Sequence, residues 1–154
     1  MKDWRCKIVV HDNFWKMKKS KSENQGYKKL KIYNLAHDLA IRVHKMTINL
    51  PKYEMFEEGS QIRRSSKSVS SNMVEGYALR RYKQEYIHYL VRALGSSLET
   101  VEHLELLFKT ESLADKTLYE SLHEEYEKLN SMLYSFIESV VTQHDPTLVG
   151  KIEQ

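Results

Sequence analysis

A chain of 154 residues, 41% hydrophobic and 29% charged, is long enough for one domain with its own core and too apolar for intrinsic disorder. Its formal charge is +3, and no apolar run approaches the ~18 residues of a membrane span, which excludes a helical membrane protein at this level. A single cysteine, Cys6, cannot make an internal disulfide or a zinc site, and no apolar h-region marks a secretory signal, so a reducing, cytoplasmic setting is expected.

The charge is unevenly spread. Residues 1–31 hold ten Lys and Arg against three Asp and Glu, and residues 32–154 hold fourteen against eighteen. A basic arm, residues 1–27, therefore precedes a mildly acidic body. Residues 16–26 are polar and unpatterned and read as flexible. The short apolar run at Ile8, Val9 and Val10 has no second strand to pair with. Three readings of the arm stand side by side: a nucleic-acid-binding arm, a solvated one, or a translation start at Met17 that leaves residues 1–16 outside the protein.

From Tyr27 the pattern is helical. Ile32, Leu35, Ala36, Leu39, Val43, Met46 and Leu50 form a one-sided apolar stripe, and Pro51 stops it by pushing its predecessor out of the α region. A second helix is expected over 57–78. A third carries Ile87, Leu90, Leu94, Ser97, Val101, Leu104 and Phe108. A fourth carries Tyr119, Leu122, Tyr126, Leu129, Leu133, Phe136 and Val140. The last two alternate steps of three and four, as coiled-coil seams do. Asp115 is the expected N-cap of the fourth helix. Short links between long helices predict an all-α fold, an antiparallel up-down-up-down four-helix bundle over residues 28–141, with 142–154 as a fraying tail.

The second helix is unusual. Residues 61–76 hold five serines and an asparagine, residues that compete for their own backbone and form helices poorly. On a wheel of about 100° per residue, Ile62, Val69 and Met73 share the core side. Arg64, Ser68, Ser71, Asn72 and Glu75 form a separate polar stripe nearly opposite. Solvated faces are usually rich in Lys and Glu, so a subunit interface is the sharper reading of this stripe. Solvent exposure or a tight contact within the chain is the alternative.

Residues 64–76, Arg-Ser-Ser-Lys-Ser-Val-Ser-Ser-Asn-Met-Val-Glu-Gly, resemble the R-A-x-x-S-x-x-S-N-x-x-E-G signature of the 23S rRNA intervening-sequence proteins. Leu94-Gly95-Ser96-Ser97-Leu98-Glu99 is similar to that family's G-S-x-x-E motif. Leu35-Ala36-His37-Asp38-Leu39-Ala40 and Leu50-Pro51 match its first helix and helix stop. Ser70 departs from the usual proline, Lys67 from an aliphatic residue, and Tyr82 from a polar cap. The resemblance covers residues 28–141. It implies a small four-helix bundle of bacterial origin, often encoded within 23S rRNA genes. Relatives include the accessory variability protein of diversity-generating retroelements, a pentameric ring that engages a reverse transcriptase and nucleic acid. A homo-oligomer, a nucleic-acid ligand and a reverse-transcriptase partner are thus implied by resemblance. Arg64 and Glu99 lie in the two motifs on adjacent helices, and a pair between them is expected.

No phosphate loop, nucleophile elbow or Cys/His arrangement is present, so no catalytic residue and no cofactor is expected. A di-iron bundle needs two Glu-x-x-His steps; here only Glu120 and His123 make one. His37, His44 and His103 read as surface residues. Nucleic-acid contact is the better-supported chemistry. Arg63 and Lys67 lie a turn apart and share a flank with Arg81 if the helix reaches it. Arg80, Arg81 and Lys83 cluster with Tyr77, Tyr82, Tyr86 and Tyr89. Cations interleaved with aromatics suit phosphate contact and base stacking, although tyrosines at helical spacing also serve as core residues with a wet hydroxyl.

Overall fold

The computed structural model describes residues 23–143. A 3-10 helix, Glu23–Lys29, leads into α1 (Lys31–Ile48). A single-turn helix α2 (Lys52–Phe56) follows, then α3 (Glu58–Ala78), α4 (Lys83–Lys109) and α5 (Lys116–Gln143). No strand is present among the described residues. None of these helices is long and apolar enough to cross a membrane.

The four long helices bury the stripes that the sequence marks. Leu39 and Val43 of α1, Ile62, Val69 and Met73 of α3, Leu90, Leu104 and Leu107 of α4, and Leu122, Tyr126, Leu129 and Leu133 of α5 are fully buried. Each such side chain contributes about 1.5–3 kcal/mol relative to exposure. Burial also holds the Tyr126 hydroxyl well above the usual phenol range. α1 ends as expected just before Pro51, with the Asn49 N–H donating to the Met46 carbonyl and the Leu50 N–H to the Thr47 carbonyl. Asp115 caps α5, its Oδ1 accepting from the Leu118 N–H at 2.9 Å.

α3 packs most extensively on α4. Glu58 meets His103, Ser65 meets Thr100, Ser68 meets Ser96 and Gly76 meets Tyr89. Phe108 stacks on Tyr119 at 4.0 Å, Glu105 meets His123, and Tyr86 meets Phe136. These pairs set the register of α4 against both neighbours. Between α1 and α5, the Arg42 guanidinium binds the Glu125 carboxylate and donates to the Ser121 hydroxyl at 2.9 Å.

Three features differ from expectation. The helical pattern from Tyr27 resolves into a 3-10 helix and then α1, so the final residues of the predicted arm, 23–27, are helical. The link after Pro51 holds α2, pinned by the Arg63 guanidinium, which donates to the Met55 carbonyl at 2.7 Å. α5 runs two residues past the predicted bundle boundary, to Gln143. The remainder of the arm, with Cys6 and Met17, and residues 144–154 lie outside the described residues.

Candidate nucleic-acid interface

The densest gathering of cations lies where four segments converge. Tyr27 of the 3-10 helix sits edge-on to Tyr77 near the end of α3, with ring centres 6.2 Å apart, and edge-on to Tyr33 of α1 at 4.8 Å. This aromatic contact brings Lys28, Lys29 and Lys31 to the turn that holds Arg80, Arg81 and Lys83. The Arg80 guanidinium lies over the Tyr77 ring at 4.3 Å and donates to the Tyr77 carbonyl at 3.0 Å. The Lys83 ammonium donates to the Val141 carbonyl at 2.6 Å, tying the start of α4 to the end of α5. Six cationic residues from two stretches fifty residues apart thus share one end of the molecule.

The four tyrosines of this region divide by role. Tyr86 is buried, and its hydroxyl is pushed up to about 12, chiefly by burial, with Tyr77 adding and Arg80 opposing. Tyr89 lies against Gly76, and Tyr77 is covered by Tyr27 and Arg80. Tyr82 is 62% exposed between Arg81 and Lys83. Its open ring face is the one of the four suited to a base.

Arg63 and Lys67 do not join this cluster. They sit on the first half of α3, roughly 20 Å from its last residue at ~1.5 Å per residue, and Arg63 is used to hold α2. α3 ends at Ala78, so Arg81 lies in the turn and not on the flank of Arg63 and Lys67. Lys28, Lys29 and Lys31 are not among the site residues expected from the sequence. The positive balance of residues 1–31 was the available signal, but nothing local joins them to residues 80–83.

The opposite end, where α2 meets the α4–α5 link, mixes acids with the cations Lys52, Lys109 and Lys116. Ser112 donates to Glu54 at 3.0 Å there, and Glu57, Glu58, Glu111 and Asp115 lie close by in the chain. His103, expected at the surface, is half-buried between two carboxylates, with Nδ1 at 2.7 Å from Glu58 and Nε2 at 3.6 Å from Glu99. His123 meets Glu105 at 3.5 Å, and Lys109 draws that carboxyl below the usual carboxylate range.

The polar stripe of α3 splits in two. Ser68 and Asn72 turn toward α4: Ser96 donates to the Ser68 hydroxyl at 3.1 Å, and Asn72 donates to the same oxygen at 3.0 Å and to the Ser68 carbonyl at 2.8 Å. Ser65 and Thr100 share a buried hydroxyl contact of 2.8 Å. These small residues bring the two helices close. Arg64, Ser71 and Glu75 remain exposed. The expected pair of Arg64 with Glu99 does not form within the subunit, because Glu99 faces His103 along its own helix.

These features define a small all-helical protein with a polar helix-to-helix seam and a basic end. The model of the 23S rRNA-intervening sequence protein family matches residues 28–135, and the chain belongs to that family. The crystal structure of a protein of unknown function from the S23 ribosomal protein family of Bacteroides thetaiotaomicron VPI-5482 is similar. It shares 28% identity, covering 69% of this chain and 97% of that one, with a TM-score of 0.61. No curated protein matches the sequence.

Proposed function

We propose that this protein is a non-enzymatic, cytoplasmic, homo-oligomeric accessory protein that binds RNA or DNA, built as an antiparallel up-down-up-down bundle. The observation that carries the reading is the convergence of Lys28, Lys29 and Lys31 with Arg80, Arg81 and Lys83 around Tyr77. Phosphate contacts dominate nucleic-acid affinity and need several cations within reach of one strand. Along α3 and α4, and along α4 and α5, contacting residues rise in number on one helix as they fall on the other, which supports the antiparallel arrangement. The ring form and the reverse-transcriptase partner implied by family resemblance belong to this reading.

Fluorescence anisotropy with labelled RNA and DNA at stepped salt tests it. Affinity is expected to fall linearly with log salt, and Arg81→Glu with Lys29→Glu is expected to reduce both affinity and slope. An absent or salt-independent signal in the full chain rejects nucleic-acid binding. One observation favours a scaffold role instead: Ile48, Tyr53 and Phe56, at the α1–α2 corner, are 57%, 65% and 79% exposed. That role predicts loss of a protein partner, with no change in nucleic-acid affinity, on Tyr53→Ser with Phe56→Ser.

A further inference from the structure

The 3-10 helix is seated on the bundle by one glycine and one tyrosine. A Cβ built on Gly26 would overlap the Tyr77 hydroxyl and stand 2.8 Å from its Cζ. No glycine among the described residues has a positive φ, so lack of space, and not backbone shape, reserves this position for glycine. The neighbouring Tyr27 ring is edge-on to Tyr77 and to Tyr33 of α1. The Leu30 N–H donates to the Tyr27 carbonyl at 3.0 Å, and the Asn34 side chain of α1 donates to the Lys28 carbonyl at 3.0 Å.

Tyr77 holds something on each side. The 3-10 helix lies against its hydroxyl, and the Arg80 guanidinium lies over its ring at 4.3 Å. Lys31 belongs to α1, whose Ile32 and Ala36 are buried in the core, so it keeps its place whether or not the 3-10 helix is seated. Lys28 and Lys29 belong to the 3-10 helix and move with it. Gly26 and Tyr27 precede residues 28–135, the stretch that the family's model matches. Half of the seat therefore lies outside what this chain shares with its family.

We infer that Gly26 and Tyr77 are positioning residues for the basic end. Their close fit seats Lys28 and Lys29 beside Arg80, Arg81 and Lys83, and a nucleic-acid strand spanning both sets holds the 3-10 helix in its seat. The second half follows from linkage. A ligand that touches both segments binds the seated form more tightly, so it favours seating by the same factor. The inference rests on the nucleic-acid reading proposed above, and it assigns part of the affinity to a contact that touches no phosphate.

Gly26→Ala in the full chain tests this, because the variant keeps every cation. Its Cβ displaces the 3-10 helix from Tyr77, and hydrogen exchange at the Leu30 amide, followed by NMR, is expected to speed up. The buried core does not include Gly26 or Tyr27, so circular dichroism and the unfolding midpoint are expected to stay with the parent. On a labelled single strand, the dependence of log affinity on log salt is expected to become shallower by about 1.4, two cations at ~0.7 each. Lys28→Gln with Lys29→Gln should give the same slope, and adding Gly26→Ala to that pair should lower it no further. Gly26→Val is the bulkier version if the Tyr77 ring swings aside to admit alanine. Tyr77→Phe combined with Gly26→Ala removes the crowded hydroxyl and is expected to recover part of the lost slope. Bound strand is expected to slow exchange at the Leu30 amide of the parent; unchanged exchange would show that seating and binding are not linked. If both Gly26 variants bind with the parent's slope, or if their losses add to those of the lysine pair, the positioning role is wrong and binding by the basic end stands. If the parent itself does not bind, the inference and the nucleic-acid reading fall together.

Discussion

Tyr82 occupies the N-cap of α4 with no side-chain oxygen to accept from the first turn, a position where Ser, Thr, Asp or Asn stabilises a helix by about 1 kcal/mol. At the other end of the same helix, Glu111 has a φ of 61°, a left-handed conformation that glycine adopts at lower cost. Both residues oppose local preference, but only Tyr82 lies between cations on the basic end. Tyr82→Ser and Glu111→Gly are each expected to stabilise the fold by about 1 kcal/mol, read by urea unfolding. They should separate in binding. Glu111→Gly leaves nucleic-acid affinity unchanged, whereas Tyr82→Ser weakens affinity for unpaired strands more than for duplex, since stacking needs an open base. Equal effects of Tyr82→Ser on both would assign the tyrosine no stacking role.

The pairing of α3 with α4 depends on small side chains. A Cβ on Gly76 would stand 3.0 Å from Tyr89 Cβ and 3.2 Å from the Tyr86 ring, so Gly76→Ala forces the helices apart and is expected to cost about 1–3 kcal/mol, an overpacking cost. Thermal unfolding checks it: an unchanged midpoint would show that the seam can relax. The periodic stripes made the four long helices and their core legible, because burial on one side imposes a 3.6-residue period whatever the neighbours are. The wheel was less informative about Ser68 and Asn72. It gives direction relative to the apolar core, and it does not say that α4 lies to one side of that direction, where both residues meet it. α2 has only five residues, too few for a period, and its Arg63 clamp is a contact across eight residues that composition does not reveal. The union of residues 28–31 with 80–83 depends on Tyr27 reaching Tyr77, a tertiary contact with no local signature.

At the scale of the whole molecule, the proposed binding of nucleic acid by a single basic end is expected to be modest. Its Lys83 ammonium is already engaged with the Val141 carbonyl, and Arg80 is partly occupied with Tyr77. On the proposed reading, a phosphate backbone held by one end alone is released quickly at physiological salt. In the homo-oligomer proposed above, copies that meet where Gly95 leaves open space on α4 would change this without adding a contact, because a strand held by one end finds the next at high effective concentration. Linked sites of this kind exceed a single site by about 10²–10⁴ when the strand can span them. Gly95→Leu is therefore expected to weaken binding of a long single strand by tenfold or more and that of a short oligonucleotide, covering one end, hardly at all. Arg81→Glu should weaken both. The dependence on salt follows the same division: the slope of log affinity against log salt counts the phosphates neutralised together, so Gly95→Leu lowers the slope on the long strand to that of the short one. An equal loss on both strands would put Gly95 in the binding surface itself, and an unchanged slope would mean that the copies never engage one strand together.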